Sequence, residues 1–174
     1  MTVPSASNIG QQALREAFSH FPSGVAALAA IVEGERHVLV ASTFTVGVSL
    51  EPPLAAFFVQ KSSATWSVLS RAQRIGVSIL SVDHAAKCRQ LASRDRLERF
   101  AGVETLSGTA GAIRIAGSAA YFECSVHGVH ATGDHDVVLL LIHDHHVERE
   151  TAPLVFHGSR FTRLAMGPSV GAVS

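Results

Sequence analysis

Residues 38–66 read VLVASTFTVGVSLEPPLAAFFVQKSSATW, and this stretch decides the fold of the chain. It contains an apolar run, a hydroxyl-rich turn at residues 41–45, a Pro-Pro pair, a second apolar run and a second hydroxyl-rich turn at residues 60–66. Pro52 and Pro53 cannot both lie within a central strand, so they predict the entry to a strand over residues 54–60. The stretch therefore predicts two buried strands, each followed by a polar turn.

Both polar turns are suited to an oxygen-rich ligand. Small hydroxyl side chains and free backbone N–H groups can surround such a ligand, and a helix N-terminus adds a partial positive charge that favours a phosphate. A single turn of this kind is more often an ordinary Ser/Thr turn or a helix cap. Two such turns on either side of one buried strand favour a ligand site.

Outward from this stretch, the pattern is mainly that of strands. Residues 25–32 (VAALAAIV) have no polar face, and Glu33-Gly34-Glu35 predicts a turn that joins them to residues 37–43 as a hairpin. Further strands are predicted at residues 75–80, repeatedly between 113 and 147, at 154–156 and at 160–164. Helices are predicted at residues 8–20, from Ser63 or Thr65, and from a cap at Asp83 through Leu91. Six or seven strands without βαβ alternation predict a mainly β fold, an antiparallel barrel with peripheral helices.

Length and composition limit the domain organisation. The chain has 174 residues, of which 47% are hydrophobic and 16% charged, which fits one domain with a large core. Because the sequence has no internal repeat and no composition break, we expect a single domain over residues 1–174. Its ordered core should span about residues 8–165, between a loose leader and a loose tail. The sparse charge also suggests that another subunit covers part of the surface.

Charge and local composition exclude several classes of function. Lys+Arg and Asp+Glu both number 14 and no basic tract occurs, so nothing favours binding to nucleic acid or to an anionic membrane. The first residues lack the pattern of a signal peptide and no apolar run is long enough to cross a bilayer, which predicts a cytoplasmic protein. Cys88 and Cys124 are isolated and are expected as reduced thiols. No GxGxxG follows any strand, so a dinucleotide would need a scaffold other than a Rossmann sheet.

Six short motifs occur in the order found in one known family. They are FPSGV (21–25), ASTF (41–44), SLEPPL (49–54), RFAGV (99–103), GDH (133–135) and PLVF (153–156). Over about residues 18–164, the chain resembles the short-chain flavin reductases with an FMN-binding split barrel. Members of that family often serve as partners of two-component monooxygenases. The resemblance therefore implies an antiparallel split β-barrel.

The resemblance also implies ligands and partners. It implies a homodimer with FMN or FAD in a groove at the subunit interface, and NADH or NADPH as the hydride donor. In the family, the segment matching residues 40–44 runs along the flavin, and the segment matching residues 60–66 encloses the ribityl phosphate. His135, in the Gly-Asp-His motif, and residues 153–156 are expected near the nicotinamide nucleotide. The resemblance does not separate FMN from FAD, or NADH from NADPH.

Hydride transfer to flavin N5 needs two stacked rings more than it needs acid–base groups. This agrees with the lack of a nucleophile triad in the sequence. His135 is expected in the nicotinamide pocket, and Lys61 is expected to contribute most to phosphate affinity because it is the fixed cation of the second turn. The expected cofactor contacts are Val40, Ala41, Ser42, Thr43, Phe44, Gln60, Lys61, Ser63, Thr65, Trp66 and Phe156.

Two alternatives from other classes remain open. A flavin-binding protein that stores or senses flavin would use the same contacts without oxidising NADH. A small β-barrel that binds metal would use His143 and His145, two apart on a predicted strand and therefore on one face. No further ligand stands at a spacing that completes such a site. The histidines of this region are His127, His130, His135, His143, His145 and His146.

Overall fold

A computed structural model describes residues 10–164. The loose leader predicted before residue 8 and the loose tail predicted at residues 167–174 lie outside the described residues. Within residues 10–164, the helices are α1 (Gln11–Ser19), α2 (Ala64–Leu69) and α3 (Ala85–Leu91), with short 3₁₀ turns at Val82–His84 and Thr109–Gly111. None of these helices combines the length and the apolar character that a bilayer crossing requires.

Strands are the main secondary structure of the described residues. The first six are β1 (Ser23–Gly24), β2 (Ala26–Val32), β3 (Glu35–Ala41), β4 (Thr45–Leu50), β5 (Pro53–Gln60) and β6 (Ile75–Ile79). The others are β7 (Thr105–Ser107), β8 (Ile113–Ile115), β9 (Ala120–Thr132), β10 (His135–Val147), β11 (Leu154–His157) and β12 (Arg160–Arg163). This confirms the mainly β prediction.

The strands form one large antiparallel sheet and two small ones. The large sheet has seven strands in the order β3-β2-β6-β9-β10-β5-β4. The small sheets have the orders β1-β11-β12 and β7-β8. Every pairing in them is antiparallel. The absence of parallel βαβ pairs among residues 10–164 agrees with the barrel architecture predicted from the sequence.

The large sheet curls until β3 and β5 face each other. No ladder joins these two strands in the described chain, but one residue bridges them. The hydroxyl of Thr43, just after β3, donates a hydrogen bond to the carbonyl of Phe58 (2.9 Å) and accepts one from the Phe58 N–H (3.2 Å). The barrel is therefore split between β3 and β5, and Thr43 closes one end of the split.

β2 is the most buried strand, and both of its faces are apolar. Leu28 and its same-face neighbours pack with residues of β5, β6, β10 and α2, including Phe57, Leu69 and Leu140. Ala27 and Ala29, on the other face, pack with α3, β8 and β11. The prediction that this strand has no wet face is confirmed. The hairpin to β3 is also confirmed, because Glu33 (φ 53°) and Gly34 (φ 82°) form its two-residue turn.

One strand was missed and one helix cap was wrong. The sequence patterns gave no element at residues 45–50, yet β4 lies there and pairs with the start of β5. A register shift between Thr45 and Ser49, with Gly47 at φ 72°, interrupts the pattern that would have marked it. The helical segment after β6 is capped by Ser81 and not by Asp83: the Ser81 N–H donates to Nδ1 of His84 (3.1 Å), and the Ser81 hydroxyl lies 2.9 Å from that nitrogen.

Candidate functional site

A cleft of about 280 Å³ lies at the split of the barrel, between the ends of β3 and β5. We call it the split cleft. Most of the residues predicted from the two polar turns line it, together with the histidine of the Gly-Asp-His motif. The lining is Leu39, Val40, Ala41, Ser42, Thr43, Phe58, Val59, Gln60, Ser63 and His135.

The two polar turns lie at this cleft because β3 and β5 both end there. β3 ends at Ala41, so the hydroxyls of Ser42 and Thr43 stand at its mouth. β5 ends at Gln60 on the opposite wall, and Ser63 caps α2 by accepting a hydrogen bond from the Trp66 N–H (3.2 Å). The structure therefore brings together two turns that lie about one strand apart in the sequence.

His135 reaches the same cleft from β10. Its Cα pairs with that of Gln60 across the β5–β10 ladder. Nδ1 of His135 lies 2.8 Å from Oδ1 of Asp134, and the side chain of His135 is 37% exposed against 90% for Asp134. The hydrogen bond to His135 and its charge hold the pKa of Asp134 below the usual value. Asp134 thus orients the imidazole ring, and its other nitrogen is available to a ligand.

Lys61 occupies a place that the sequence did not predict. Its Nζ donates a hydrogen bond to the carbonyl of Gly133 (2.7 Å), and its backbone N–H donates to the carbonyl of Asp134 (3.1 Å). Asp136 lies at the edge of salt-bridge distance, at 4.0 Å. The side chain therefore fastens the β9–β10 turn to the loop after β5, beside the split cleft and outside its lining.

Thr65 and Trp66 also lie outside the split cleft. The Thr65 hydroxyl accepts a hydrogen bond from the guanidinium of Arg99 (3.1 Å), which also donates to the carbonyl of Val38 (2.9 Å). Desolvation, with a smaller contribution from the nearby Arg96, lowers the pKa of Arg99. Trp66 is buried and packs edge-on against Phe57, with ring centroids 5.0 Å apart. Trp66 therefore supports the loop from the core.

A second cleft, of about 780 Å³, opens from the first. We call it the wide cleft. Ser42, Thr43 and Phe58 line both clefts, so the two are continuous at the Thr43 bridge. The predicted residues Phe44 and Phe156 line the wide cleft. Its other wall includes Arg15, Phe18 and Phe21 of the N-terminal helix and the segment after it.

Sequence reasoning missed several of these lining residues. Phe58 is 44% exposed within a strand whose neighbours are buried, and it stands two residues before Gln60. Side chains two residues apart in a strand lie on the same face, so the prediction of Gln60 as a contact also implied that Phe58 lies on the ligand-facing side of β5. Leu39 and the α1 residues carry no comparable signal, since their place depends on how distant elements pack.

The histidine cluster does not converge on a metal site. Among the described residues, no three His, Cys, Asp or Glu side chains stand where they could hold a metal ion. His143 lies at a register shift of the β9–β10 ladder, which breaks the alternation that would have put it on one face with His145. Its Nε2 lies 2.8 Å from the Ser125 hydroxyl, while Nε2 of His146 lies 2.7 Å from a carboxylate oxygen of Glu148.

Comparison with known proteins gives consistent matches over most of the chain. A family model described as "Flavin reductase like domain" matches residues 18–165. A flavin reductase of Pseudomonas putida is 33% identical over 152 residues, covering 87% of this chain and 88% of that protein. The reductase subunit of a flavin-dependent monooxygenase from Rhodococcus jostii is 29% identical, covering 97% of this chain and 85% of that protein. An NADH:FAD oxidoreductase of Streptomyces globisporus, solved with NAD and FAD fragments, superposes with a TM-score of 0.85 at 28% identity, covering 97% of this chain and 100% of that one.

Proposed function

The chain belongs to the family of flavin reductase like domains, and from this premise we propose that it transfers a hydride from NADH or NADPH to FMN or FAD. One observation carries the proposal: the split cleft gathers hydroxyl and amide groups beside a wider aromatic cleft, and both open at Thr43. Two flat rings can therefore meet at this point, one held in each cleft. Bringing them together in the right orientation is the main task of such an enzyme.

The donor set of the split cleft fits a flavin. Val40 and Ala41 offer an apolar wall and backbone groups to the ring. Ser42 offers its hydroxyl to the polar edge of the ring, and the Thr43 hydroxyl, whose hydrogen is donated to Phe58, can accept a hydrogen bond from that edge. When bound, the flavin supplies the hydride-accepting chemistry. The protein's own residues bind it, orient it and exclude water. We propose that the nicotinamide ring lies in the wide cleft, on the face of the flavin that opens there, and that Phe44 and Phe156 contact the rings at this junction.

The loop after β5 is the proposed phosphate site. Gln60 and Ser63 line the split cleft, and Lys61 and Thr65 belong to the same loop. Lys61 bonds a neutral carbonyl in the structure, and a phosphate would be a stronger acceptor because its bond is charge-assisted. We therefore keep Gln60, Lys61, Ser63 and Thr65 as proposed phosphate ligands, with Trp66 as buried support.

His135 is the proposed contact to the nicotinamide nucleotide. Its ring is fixed by Asp134 and lies at the wall of the split cleft opposite residues 40–43. Because Thr43, where the two clefts join, lines the same cleft, His135 can orient the part of the nicotinamide ring that reaches this junction or contact the pyrophosphate. No proton transfer is needed from it, because hydride transfer between the rings requires no acid–base group.

We propose that the protein is a homodimer. No described residue of α1 is buried. Even its large apolar side chain Phe18 is 67% exposed, and Phe21, just after the helix, is 76% exposed. Leu50, on the edge strand β4, is 90% exposed. Exposed apolar side chains of α1, of the segment after it and of β4 meet at the wide cleft, which Phe18, Phe21 and Val46 line, and such a patch indicates a protein interface. Because α1 also lines the wide cleft, the partner subunit would complete the ligand site.

We propose that the reduced flavin serves a separate monooxygenase. The support is that similar proteins are named as reductase components of monooxygenases. One of them, from Thermus thermophilus, is 30% identical to this chain, and the match spans 88% of this chain and 97% of that protein. A cytoplasmic location fits this role. Cys88 and Cys124 are free and buried, as expected of thiols in a reducing compartment.

The test is a spectroscopic assay of nicotinamide oxidation with purified protein. NADH and NADPH are each paired with FMN and with FAD, and a reaction without added flavin is the control. Oxidation that saturates with flavin supports the proposal. Flavin binding without oxidation in any pairing would contradict it and leave a flavin-storing or flavin-sensing protein. If no flavin binds, the proposal also fails.

A further inference from the structure

A third cavity, of about 610 Å³, lies between α3 and the β11–β12 hairpin. Arg89 of α3 and Arg160 at the start of β12 both line this cavity, together with Ser159 and Phe161. We call it the arginine pocket. Phe156 and Ser159 line both this pocket and the wide cleft, so the two cavities adjoin.

The charge in the arginine pocket is unbalanced. Three arginines elsewhere, Arg71, Arg74 and Arg114, each have a glutamate within 4.0 Å. Neither Arg89 nor Arg160 has such a partner within residues 10–164, and no carboxylate from that part of the chain lines the pocket. Two like charges that share a cavity without a counter-charge repel each other, so an anion bound there would be stabilised.

The chemistry of the lining specifies the anion further. Guanidinium groups bind phosphate oxygens in a bidentate manner, and two of them suit a dianionic phosphate monoester. The Ser159 hydroxyl can add a hydrogen bond. Phe156 and Phe161 pack at 5.5 Å between centroids and give the pocket an apolar side, against which an aromatic base can lie. A phosphorylated nucleoside combines both features.

The position of the pocket indicates which nucleoside. The nicotinamide ring, in the proposed function, lies near Thr43 in the wide cleft, and the cleft continues past Phe156 to the two arginines. In sites specific for NAD, a carboxylate commonly binds the ribose 2′-hydroxyl, whereas an arginine accommodates the 2′-phosphate of NADP. The arginine pocket has the second arrangement.

We propose that the arginine pocket binds the 2′-phosphate of NADPH through Arg89 and Arg160, and that the protein therefore prefers NADPH to NADH. The proposal rests on the proposed function for the position of the nicotinamide ring. It assigns a role to two arginines that lie 71 positions apart in the sequence (160 minus 89) and that no sequence motif connects.

The kinetic test compares Arg89→Gln, Arg160→Gln and the double variant with the matched control Arg163→Gln. Arg163 is an exposed arginine on the same strand, and it does not line the pocket. At saturating FMN, we expect the double variant to raise the KM for NADPH by about tenfold or more, since two charge-assisted contacts are lost. The KM for NADH should change less than about twofold, because NADH has no 2′-phosphate for the two arginines to bind. In both cases kcat should stay the same. Arg163→Gln should change none of these values.

A second arm measures binding without turnover. Calorimetry with 2′,5′-ADP as the probe should show binding to the wild-type protein and loss of binding in the double variant. Because all three arginines are exposed, circular dichroism should show the same fold in every variant. If the double variant nevertheless unfolds, the two single variants carry the test.

The outcomes separate the pocket from the reductase activity. Suppose that the wild type is an active reductase and the double variant keeps the wild-type KM for NADPH. The proposal that the arginine pocket binds the 2′-phosphate is then wrong, and the proposed function still holds. A double variant that raises only the KM for FAD would also overturn the 2′-phosphate proposal, because the pocket would then bind the adenosine diphosphate of FAD. If the wild type oxidises neither nucleotide, the proposed function fails, and 2′,5′-ADP binding still decides the pocket.

Discussion

Nζ of Lys61 lies 2.7 Å from the carbonyl oxygen of Gly133. With the backbone bond from the Lys61 N–H to Asp134 (3.1 Å), this contact joins the loop after β5 to the turn between β9 and β10. Both segments border the split cleft, and His135 follows the turn directly. One side chain thus connects the proposed phosphate loop to the proposed nicotinamide contact.

This arrangement leads to a prediction for Lys61→Met, which keeps the length of the side chain and removes its charge. If Lys61 moves to the phosphate when flavin binds, the Kd for FMN should rise by about tenfold to a hundredfold, because a charge-assisted contact contributes about 1.5–3 kcal/mol. The Kd for riboflavin, which has no phosphate, should change little. Fluorescence quenching of each flavin gives both values.

The control for this experiment is Arg71→Met, which removes an exposed cation whose partner is Glu33, outside the split cleft. It should leave both dissociation constants unchanged. An equal rise for FMN and riboflavin in Lys61→Met would instead mean that Lys61 acts only by holding the β9–β10 turn.

The contact between Asp134 and His135 predicts a pH dependence. Since the hydrogen bond from His135 keeps the pKa of Asp134 below its usual value of about 3.9, the contact stabilises the turn above that pH and is lost as the pH falls through the lower, folded-state pKa. In His135→Leu, the pKa of Asp134 should return toward its usual value. A carbon-13 NMR titration of the Asp134 carboxyl measures this, with His130→Leu as the control. An unchanged Asp134 titration in His135→Leu would show that the contact is absent in solution.

The Thr43 bridge predicts an effect on both stability and flavin affinity. Thr43→Val keeps the shape of the side chain and removes its two bonds to the backbone of Phe58. The free energy of unfolding should fall by about 1 kcal/mol. The Kd for flavin should rise by about fivefold, since the bridge closes the end of the split. Urea denaturation and flavin titration check the two effects. The control Thr43→Ser keeps the hydroxyl, so its free energy of unfolding and its Kd for flavin should stay close to the wild-type values.

The fold was largely predictable because its strongest signals are local. The apolar run of β2, the turn at Glu33 and Gly34 and the proline pair before β5 each determine an element within a few residues. β4 was missed because its signal is not local: half of the strand lies beyond a register shift, and its side chains face outward rather than into the core. A surface strand with an exposed apolar edge gives no burial pattern to detect.

The site was predictable only in part, for a related reason. The hydroxyl turns are visible in the sequence, but their convergence depends on β3 and β5 meeting after the seven-stranded sheet curls, which no short-range pattern specifies. Trp66 was predicted as a cofactor contact, and in the structure its ring packs on Phe57 in the core. Arg89 and Arg160 come together only through the packing of α3 on the β11–β12 hairpin.

Gly76 on β6 predicts the largest loss of stability. β8 crosses so closely that a Cβ at this position would overlap the main-chain carbonyl group of Ile113. Backbone atoms of a packed strand cannot move aside as the end of a flexible side chain can. Gly76→Ala should therefore lower the free energy of unfolding by about 3 kcal/mol, the upper end of the usual cost of overpacking. The midpoint of urea denaturation measures this change.

The matched control is Gly10→Ala, because no atom among the described residues lies within 4 Å of a Cβ built there. It should lower the free energy of unfolding by no more than about 1 kcal/mol, a cost that comes from alanine being disfavoured at Gly10, the N-cap of α1. Equal midpoints for Gly76→Ala and the wild type would mean that β8 does not press on β6 in solution.

The β8 residues Ile113 and Ile115 belong to the same apolar cluster as Leu154, the first residue of β11. A displaced β8 would therefore disturb the strand that carries Phe156, so the loss of stability in Gly76→Ala should be accompanied by a higher KM for the nicotinamide nucleotide.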